Sequence, residues 1–124
     1  MAADAPTSDP VSVVQRQLDA YNRKDVDAWL ATYAADAEQC LLHGERLAQG
    51  HAALRQRMEV RFAEPHLHAR LLKRTVMGNI VVDLEEVTRD FPQGKGSMQM
   101  LCIYEVVQGH IVRASFAMGD PVVA

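Results

Sequence analysis

The sequence is poor in cysteine and has no excess of basic residues. Cys40 and Cys102 are the only cysteines, and they lie far apart without a CxxC pattern. This spacing predicts two buried thiols in a reducing compartment rather than a disulfide. The 13 Lys and Arg residues are scattered among 16 Asp and Glu residues, for a net charge of −3. Without a basic stripe to neutralise phosphates, nucleic-acid binding is not expected.

Long hydrophobic runs are absent too. The first residues, MAADAPTSDP, have neither the basic start nor the apolar core of a leader, and no run approaches the roughly 20 apolar residues that cross a membrane. We therefore expect a cytoplasmic protein with no membrane partner. The hydrophobic share of 48% and the charged share of 23% are ordinary for a globular protein. We predict a disordered tail over residues 1–8 and a single domain over residues 9–124.

Two helices are predicted near the start of the chain. Asp9 followed by Pro10 is typical of a helix start, because an N-cap oxygen precedes a residue with a preset φ angle. Apolar residues at spacings of three and four then predict about three helical turns, marked by Val11, Val14, Leu18 and Tyr21. Asp25 can cap a second, shorter helix with one apolar side, formed by Val26, Trp29, Leu30 and Tyr33.

The rest of the chain predicts one further helix and a sheet. Residues 37–43 alternate with a period of two, and a turn near Gly44 with a short return strand makes a hairpin. A third helix begins at His51 and stops before Pro65, since proline disfavours a helical residue before it. Four consecutive antiparallel strands then occupy residues 67–77, 80–90, 97–107 and 110–118. This order predicts an α+β fold whose sheet packs against the helices.

The run GSMQMLCIYEVV (96–107) predicts a strand that is apolar on both faces. Its first face carries Met98, Met100, Cys102, Tyr104 and Val106. Its second face carries Leu101, Ile103 and Val107. Because the helices cover one side of the sheet only, we expect a second copy of the chain to cover the other, giving a homodimer through the outer sheet face.

Three segments together point to a known family. They read VVQRQLDAYNRKDVDAWLATYAADAE (13–38), GHAALR (50–55) and IYEVVQGHIVRASF (103–116). In this order they resemble the nuclear transport factor 2-like superfamily, whose bacterial members include ketosteroid isomerases and SnoaL-like polyketide cyclases. The resemblance implies a cystatin-like roll, in which a cone-shaped, curved antiparallel sheet wraps around three N-terminal helices. It also implies an apolar interior pocket open at one end.

The catalytic residues of the isomerases are missing here. Those enzymes use a tyrosine on helix one, an aspartate base on strand one and a protonated aspartic acid on a late strand. The matching positions are Gln17, Leu41 and Cys102. Gln17 can still donate a hydrogen bond, but Leu41 cannot move a proton and Cys102 is a weak donor. Since losing one oxyanion donor alone costs about 100-fold to 1,000-fold in rate, classical steroid isomerisation is not expected.

His43 is the first candidate for acid–base chemistry. By strand parity it shares a face with Leu41, which would place an imidazole near the mouth of the pocket. A histidine at this position suits general acid or general base catalysis. The alternative is a strand-end histidine that bonds to the backbone of the turn and has no further role.

Asp83 and Glu85 are the second candidate, because they share one face of strand four. The resemblance implies that this face points inward, although a slip of one residue would reverse it. A buried carboxyl needs a raised pKa or a partner such as His43. The alternative is a solvated edge, or a salt bridge to Arg70 or Arg74 on the neighbouring strand.

Metal and cofactor binding are not expected. His66 and His68 form an HxH pair, but a metal site needs three or four converging ligands and this spacing brings together only two. Methionines and aromatic residues dominate the predicted pocket wall, which suits an adaptable apolar site and equally an irregular core. The predicted wall comprises Gln17, Tyr21, Trp29, Tyr33, Leu41, Met58, Met98, Met100, Cys102, Phe116 and Met118.

The sequence thus predicts a protein with a pocket for a small apolar metabolite. If it is an enzyme, we expect cofactor-free isomerase, cyclase or hydratase chemistry, with His43 as acid or base, Glu85 and Asp83 as its relaying carboxyls and Gln17 as a donor. The alternative is a non-catalytic ligand-binding or dimerisation module of the same fold, and a third option is a structural dimer without a pocket. Binding that titrates between about pH 5 and pH 8 would distinguish the enzyme from an inert pocket.

Overall fold

The computed structural model describes residues 8–123. Within this range there are three helices, namely α1 (Pro10–Arg23), α2 (Val26–Leu30) and α3 (His51–Phe62). The strands are β1 (Tyr33–Leu41), β2 (Arg46–Gln49), β3 (His68–Met77), β4 (Ile80–Phe91), β5 (Gly94–Val107), β6 (His110–Met118) and β7 (Val122–Val123). Apart from Ser8, the tail predicted over residues 1–8 lies outside the described residues.

The strands form one sheet in the order β2-β1-β6-β5-β4-β3, and β7 pairs with the start of β5. The predicted hairpin β1–β2 and the meander β3 to β6 are antiparallel, whereas β1 pairs with β6 in parallel. The α+β roll is therefore confirmed, with a mixed sheet. Local turn signals predict hairpins, but they carry no information about the pairing of β1 with β6, which is remote in sequence.

The helix starts are formed as their capping residues predict. Asp9 Oδ1 accepts a hydrogen bond from the Ser12 backbone N–H at 3.0 Å, and Asp25 Oδ1 accepts one from the Ala28 N–H at 3.0 Å. The second helix ends earlier than predicted, at Leu30, where the backbone N–H and the hydroxyl of Thr32 both donate to the Trp29 carbonyl, at 3.1 and 2.7 Å. Tyr33 is consequently the first residue of β1 and not part of the helix.

The core lies between the helices and the inner face of the sheet. On β4 the buried residues are Val81, Asp83, Glu85 and Val87, which alternate with partly exposed ones. Cys40 and Cys102 are both buried free thiols, as predicted. Among residues 8–123, no helix has the length and apolar character needed to span a membrane.

Candidate active site

A cavity of about 70 Å³ opens between the inner face of the sheet and the three helices. This volume is several times the roughly 10–15 Å³ that one water molecule needs, so the cavity has room for more than a single water. Five predicted polar or aromatic wall residues line it: Gln17, Tyr21, Trp29, Tyr33 and Cys102. Five predicted apolar ones do so as well: Met58, Met98, Met100, Phe116 and Met118.

The end of β1 departs from the predicted alternation. A bulge between Gln39 and Cys40 buries both residues, to 2% and 4% exposure, so the period of two is lost there. Gln39 lines the cavity, and Leu41, which was predicted to do so, is the last strand residue before the turn. The prediction for Leu41 is therefore corrected.

His43 lies outside the cavity, in the turn that follows β1. Its φ angle of 54° is left-handed, and its side chain is exposed to solvent. The turn is closed by the Gly44 N–H, which donates to the Leu41 carbonyl at 3.0 Å. Because β1 ends before residue 43, strand parity does not extend to His43, and its predicted place at the pocket mouth is wrong.

Asp83 is completely buried, but it belongs to an ion pair rather than to the cavity wall. The Arg74 guanidinium binds its carboxylate in a bidentate pair, in which Nε donates to Oδ1 at 2.7 Å and Nη2 donates to Oδ2 at 2.9 Å. Arg74 Nη1 also donates to Gln15 Oε1 at 2.9 Å. The hypothesis of an Asp83–His43 relay is thus wrong, and the alternative salt bridge to Arg74 is confirmed.

Glu85 is the buried carboxyl on the cavity wall, with only 5% of its surface exposed. Burial, and secondly the negative charge of Asp83, raise the pKa of Glu85 to about 7, while Cys102 and Arg74 partly oppose the rise. Within the described part of the chain, no cation forms an ion pair with it. The phenols of Tyr21, Tyr33 and Tyr104 also interact with its charge. Near neutral pH this group can both release and accept a proton.

Three buried polar atoms of the wall have no hydrogen-bond partner among residues 8–123: Gln17 Oε1, Trp29 Nε1 and the Tyr33 hydroxyl. The Trp29 and Tyr33 rings pack with their centroids 4.3 Å apart. Tyr33 lies beside the Gln39 side chain without a hydrogen bond of normal geometry, and burial raises the pKa of its phenol. Trp29 and Tyr33 therefore remain N–H and O–H donors at the cavity wall.

The cavity also has cationic residues that were not predicted, Arg57, Arg61 and Arg89. Arg57 Nη1 donates to Gln39 Oε1 at 3.1 Å. A signal for two of them was available in the sequence. Arg57 and Arg61 follow Leu54 and Met58 at helical spacing, so they lie on the inward side of α3.

The histidines are dispersed, and two of them have partners away from Glu85. His66 Nδ1 bonds Asp90 Oδ1 at 2.6 Å, and His51 Nε2 bonds the Tyr33 carbonyl at 2.8 Å. Across residues 8–123, no three His, Cys, Asp or Glu side chains are grouped in a way that could hold a metal ion.

Solved structures share this fold. A cystatin-fold protein from Novosphingobium aromaticivorans superimposes with a TM-score of 0.82 at 23% identity, over 88% of this chain and 97% of that one. A protein proposed to be a polyketide cyclase, from Sinorhizobium meliloti, gives 0.70 at 24% identity, over 94% and 99%. A protein with a ketosteroid isomerase-like fold from Catenulispora acidiphila, in complex with trimethylamine, gives 0.74 at 14% identity, over 85% and 83%.

Sequence comparison identifies the family. No curated protein sequence matches the chain. The sequence profile of the SnoaL-like domain matches residues 14–114, which include most of α1, all of α2 and α3, and most of the sheet. Since this match covers well over half of the 124 residues, the chain belongs to the SnoaL-like domain family.

Proposed function

We propose that this protein binds a small, mostly apolar molecule in the cavity and transfers a proton on it without a metal or organic cofactor. The observation that supports the proposal is Glu85, a buried carboxyl on the cavity wall with a pKa raised to about 7. A general acid or base works best when its pKa is close to the working pH. Glu85 takes the role that the sequence had suggested for His43.

The reaction that suits this wall is proton abstraction beside a carbonyl group. The ionised Glu85 removes a proton from the carbon next to the carbonyl, and the electron pair of that C–H bond moves onto the carbonyl oxygen to give an enolate. Trp29 Nε1 and the Tyr33 hydroxyl are donors that can bind this oxygen. If the enolate is conjugated with a C=C bond, return of the proton from Glu85 to a different carbon gives an isomerisation. Attack of the enolate carbon on a second carbonyl forms a C–C bond, and the resulting alkoxide takes the proton from Glu85 to complete a cyclisation. Departure of a hydroxyl from the next carbon, with the proton from Glu85, eliminates water.

The test follows deuterium exchange beside the carbonyl of small cyclic ketones in heavy water, by NMR. We expect the wild-type protein to accelerate exchange and Glu85→Gln to lower the rate by about 100-fold or more, since a positioned base contributes at least that much. Glu86→Gln is the matched control, because Glu86 lies on the opposite face of β4 and pairs with Arg70. Exchange that is unaffected by Glu85→Gln contradicts the assignment of the base.

A non-catalytic ligand-binding module of the same fold is the second candidate. It is favoured by Cys102, which stands where the isomerases have an acidic donor. Burial, and then the charge of Glu85, raise the pKa of this thiol well above its usual value, so it stays neutral and donates weakly. Because Trp29 is the only tryptophan and lines the cavity, its fluorescence reports binding. Binding of a ketone without any exchange above the solvent rate supports this second function.

We further propose that two copies pair through the outer face of the sheet. On that face Val82 lies opposite Ile103 and Leu84 opposite Leu101, and all four are partly exposed. Such a contiguous apolar patch favours association. Sedimentation should give a dimer for the wild type and a monomer for Ile103→Glu. A monomeric wild type contradicts this part of the proposal.

A further inference from the structure

Three arginines contribute to the cavity wall of a chain whose net charge is −3. Two of them share one carboxylate. Arg89 binds Glu64 with two hydrogen bonds of 2.8 Å, and Arg61 Nη1 reaches Glu64 Oε2 at 3.3 Å. The positive charge of Arg61 and Arg89 is therefore partly balanced at the wall by Glu64.

Arg57 differs, because no carboxylate among the described residues pairs with it. Its hydrogen-bond partner there is the neutral amide oxygen Gln39 Oε1, at 3.1 Å. Its side chain is partly buried, and burial, followed by the charge of Arg61, lowers its pKa. A guanidinium nevertheless stays protonated in proteins, so most of its five N–H donors remain available to an anion.

The side chains next to Arg57 are donors as well. Tyr33 lies close enough to both Arg57 and Gln39 for its phenol to interact with them, and the Trp29 ring packs against Tyr33. The Tyr33 hydroxyl and Trp29 Nε1 have no partner within residues 8–123, and both residues are only 1% exposed. A ligand that accepts hydrogen bonds and carries negative charge matches these donors. A carbonyl acid has both properties, since its carboxylate can bind Arg57 while its carbonyl oxygen accepts from Tyr33 and Trp29.

We propose that the molecule bound in the cavity is a small apolar carboxylic acid, and that Arg57, oriented by Gln39, binds its carboxylate. The inference rests on the proposed function, since it names the class of ligand for the same cavity. In a carbonyl acid the carboxylate at Arg57 would fix the molecule, while the carbon beside the carbonyl faces Glu85. Arg57 is then a binding residue that determines specificity.

The test is a titration of Trp29 fluorescence at pH 6 with benzoate, with its neutral analogue benzamide and with the trimethylammonium ion. At this pH benzoate is ionised and Glu85 is mostly neutral, since the pKa of Glu85 is about 7. We expect benzoate to bind the wild type about tenfold or more tightly than benzamide, because a charge-assisted hydrogen bond is lost in the amide. Equal binding of the two, or a preference for trimethylammonium, overturns the proposal.

Variants of α3 identify the residue. Arg57→Gln should abolish the preference for benzoate, and Arg57→Lys should retain part of it. Arg55→Gln, the matched control, makes the same change of charge two residues away, on a side chain that is 41% exposed and paired with Asp27. It should leave the preference within about twofold of wild type. A preference for benzoate that survives in Arg57→Gln, once circular dichroism shows that this variant is folded, contradicts the role of Arg57. If Arg57→Gln does not fold, the selectivities of Arg57→Lys and of the wild type test the proposal instead.

The two proposals fail separately. Exchange on neutral ketones depends on Glu85 and requires no anion at Arg57. If the wild type shows no preference for benzoate but does catalyse Glu85-dependent exchange, the acid is not the ligand and the proton-transfer site is retained. If the wild type prefers benzoate but catalyses no ketone exchange, the carboxylate site is supported and the catalytic role of Glu85 is contradicted.

Discussion

Asp83 and Glu85 lie two residues apart on the inner face of β4 and are both almost completely buried, yet within residues 8–123 only Asp83 forms an ion pair with a cation. Around Asp83 the interior is closed, because Arg74 binds both oxygens of its carboxylate and also donates to Gln15 Oε1. Around Glu85 the interior opens into the cavity, and the carboxyl is left with a raised pKa. One strand therefore supplies a paired structural carboxylate and an unpaired carboxyl to which we assign the proton transfer, and the position of a single arginine separates the two.

The cause of this difference lies in the register of the neighbouring strand. Arg74 on β3 is directly opposite Asp83, whereas the residue opposite Glu85 on the same strand is Leu71, across a bulge. On the other side Glu85 faces Met100. Aliphatic neighbours desolvate the carboxyl without balancing its charge, which favours the protonated form.

We expect the largest effect from removing the cation that pairs with the buried Asp83. Arg74→Gln leaves Asp83 buried without a cation, which should lower the free energy of unfolding by about 3–5 kcal/mol. Urea denaturation at pH 7 measures this loss. Arg70→Gln is the control, because its pair with Glu86 is largely exposed and should matter by less than about 1 kcal/mol. Similar losses for both variants would show that Asp83 and Arg74 are not a buried pair.

The second effect is a pH dependence of protein stability that arises from Glu85 on the cavity wall. Burial raises the pKa of Glu85 from 4.5 to about 7, so between these values the unfolded chain releases a proton that the folded chain keeps. Wild-type stability is therefore unaffected by this group below about pH 4.5, falls as the pH rises to about 7 and stays reduced above it. The full penalty is about 3 kcal/mol, from 1.4 kcal/mol per pKa unit.

Glu85→Gln should remove this dependence. The variant should gain stability relative to wild type as the pH is raised from 4 to 8, and Glu86→Gln should not. Urea denaturation of all three proteins at both pH values gives the comparison. A constant difference between Glu85→Gln and wild type across this range would mean that Glu85 ionises normally in the folded protein.

The sequence predicts much of this fold because its signals are local. Asp9 and Asp25 identify the helix starts, and the period of two on β5 correctly separates the buried Met98, Cys102 and Tyr104 from the partly exposed side of the strand. The bulge after Gln39 has no such signal in the sequence. Strand parity alone therefore predicts that Leu41 points inward and that His43 lies at the cavity, and both predictions are wrong.

The different roles of Asp83 and Glu85 could have been predicted in part. A two-residue turn at Gly78 and Asn79 pairs Met77 with Ile80, and counting back along the hairpin places Arg74 opposite Asp83. What counting cannot supply is the shape of the interior. Whether a buried carboxyl faces a cavity depends on how α1 and α3 pack over the sheet, which is a property of side-chain volumes across the whole core.

A smaller effect, on the pKa of Glu85, is expected when the Cys102 thiol is removed. The Cys102 thiol lies beside this carboxyl and lowers its pKa, against the larger effect of burial. Cys102→Ala should therefore raise the pKa of Glu85 further above about 7. Carbon-13 NMR titration of the Glu85 carboxyl measures the change. A fall in the pKa would indicate instead that water enters the space left by the sulfur and solvates the carboxylate.

The smallest effect is expected at His43, which lies neither at the Asp83–Arg74 pair nor on the cavity wall. Its ring is exposed in the turn after β1, so His43→Ala removes no group from the cavity and no buried contact. The free energy of unfolding should change by no more than about 0.5 kcal/mol, as for most surface substitutions. Ketone exchange and benzoate affinity should equal those of the wild type at every pH. A pH-dependent loss of exchange in His43→Ala would require the turn to fold over the cavity mouth during the reaction, and would return the imidazole to the role that strand parity first suggested.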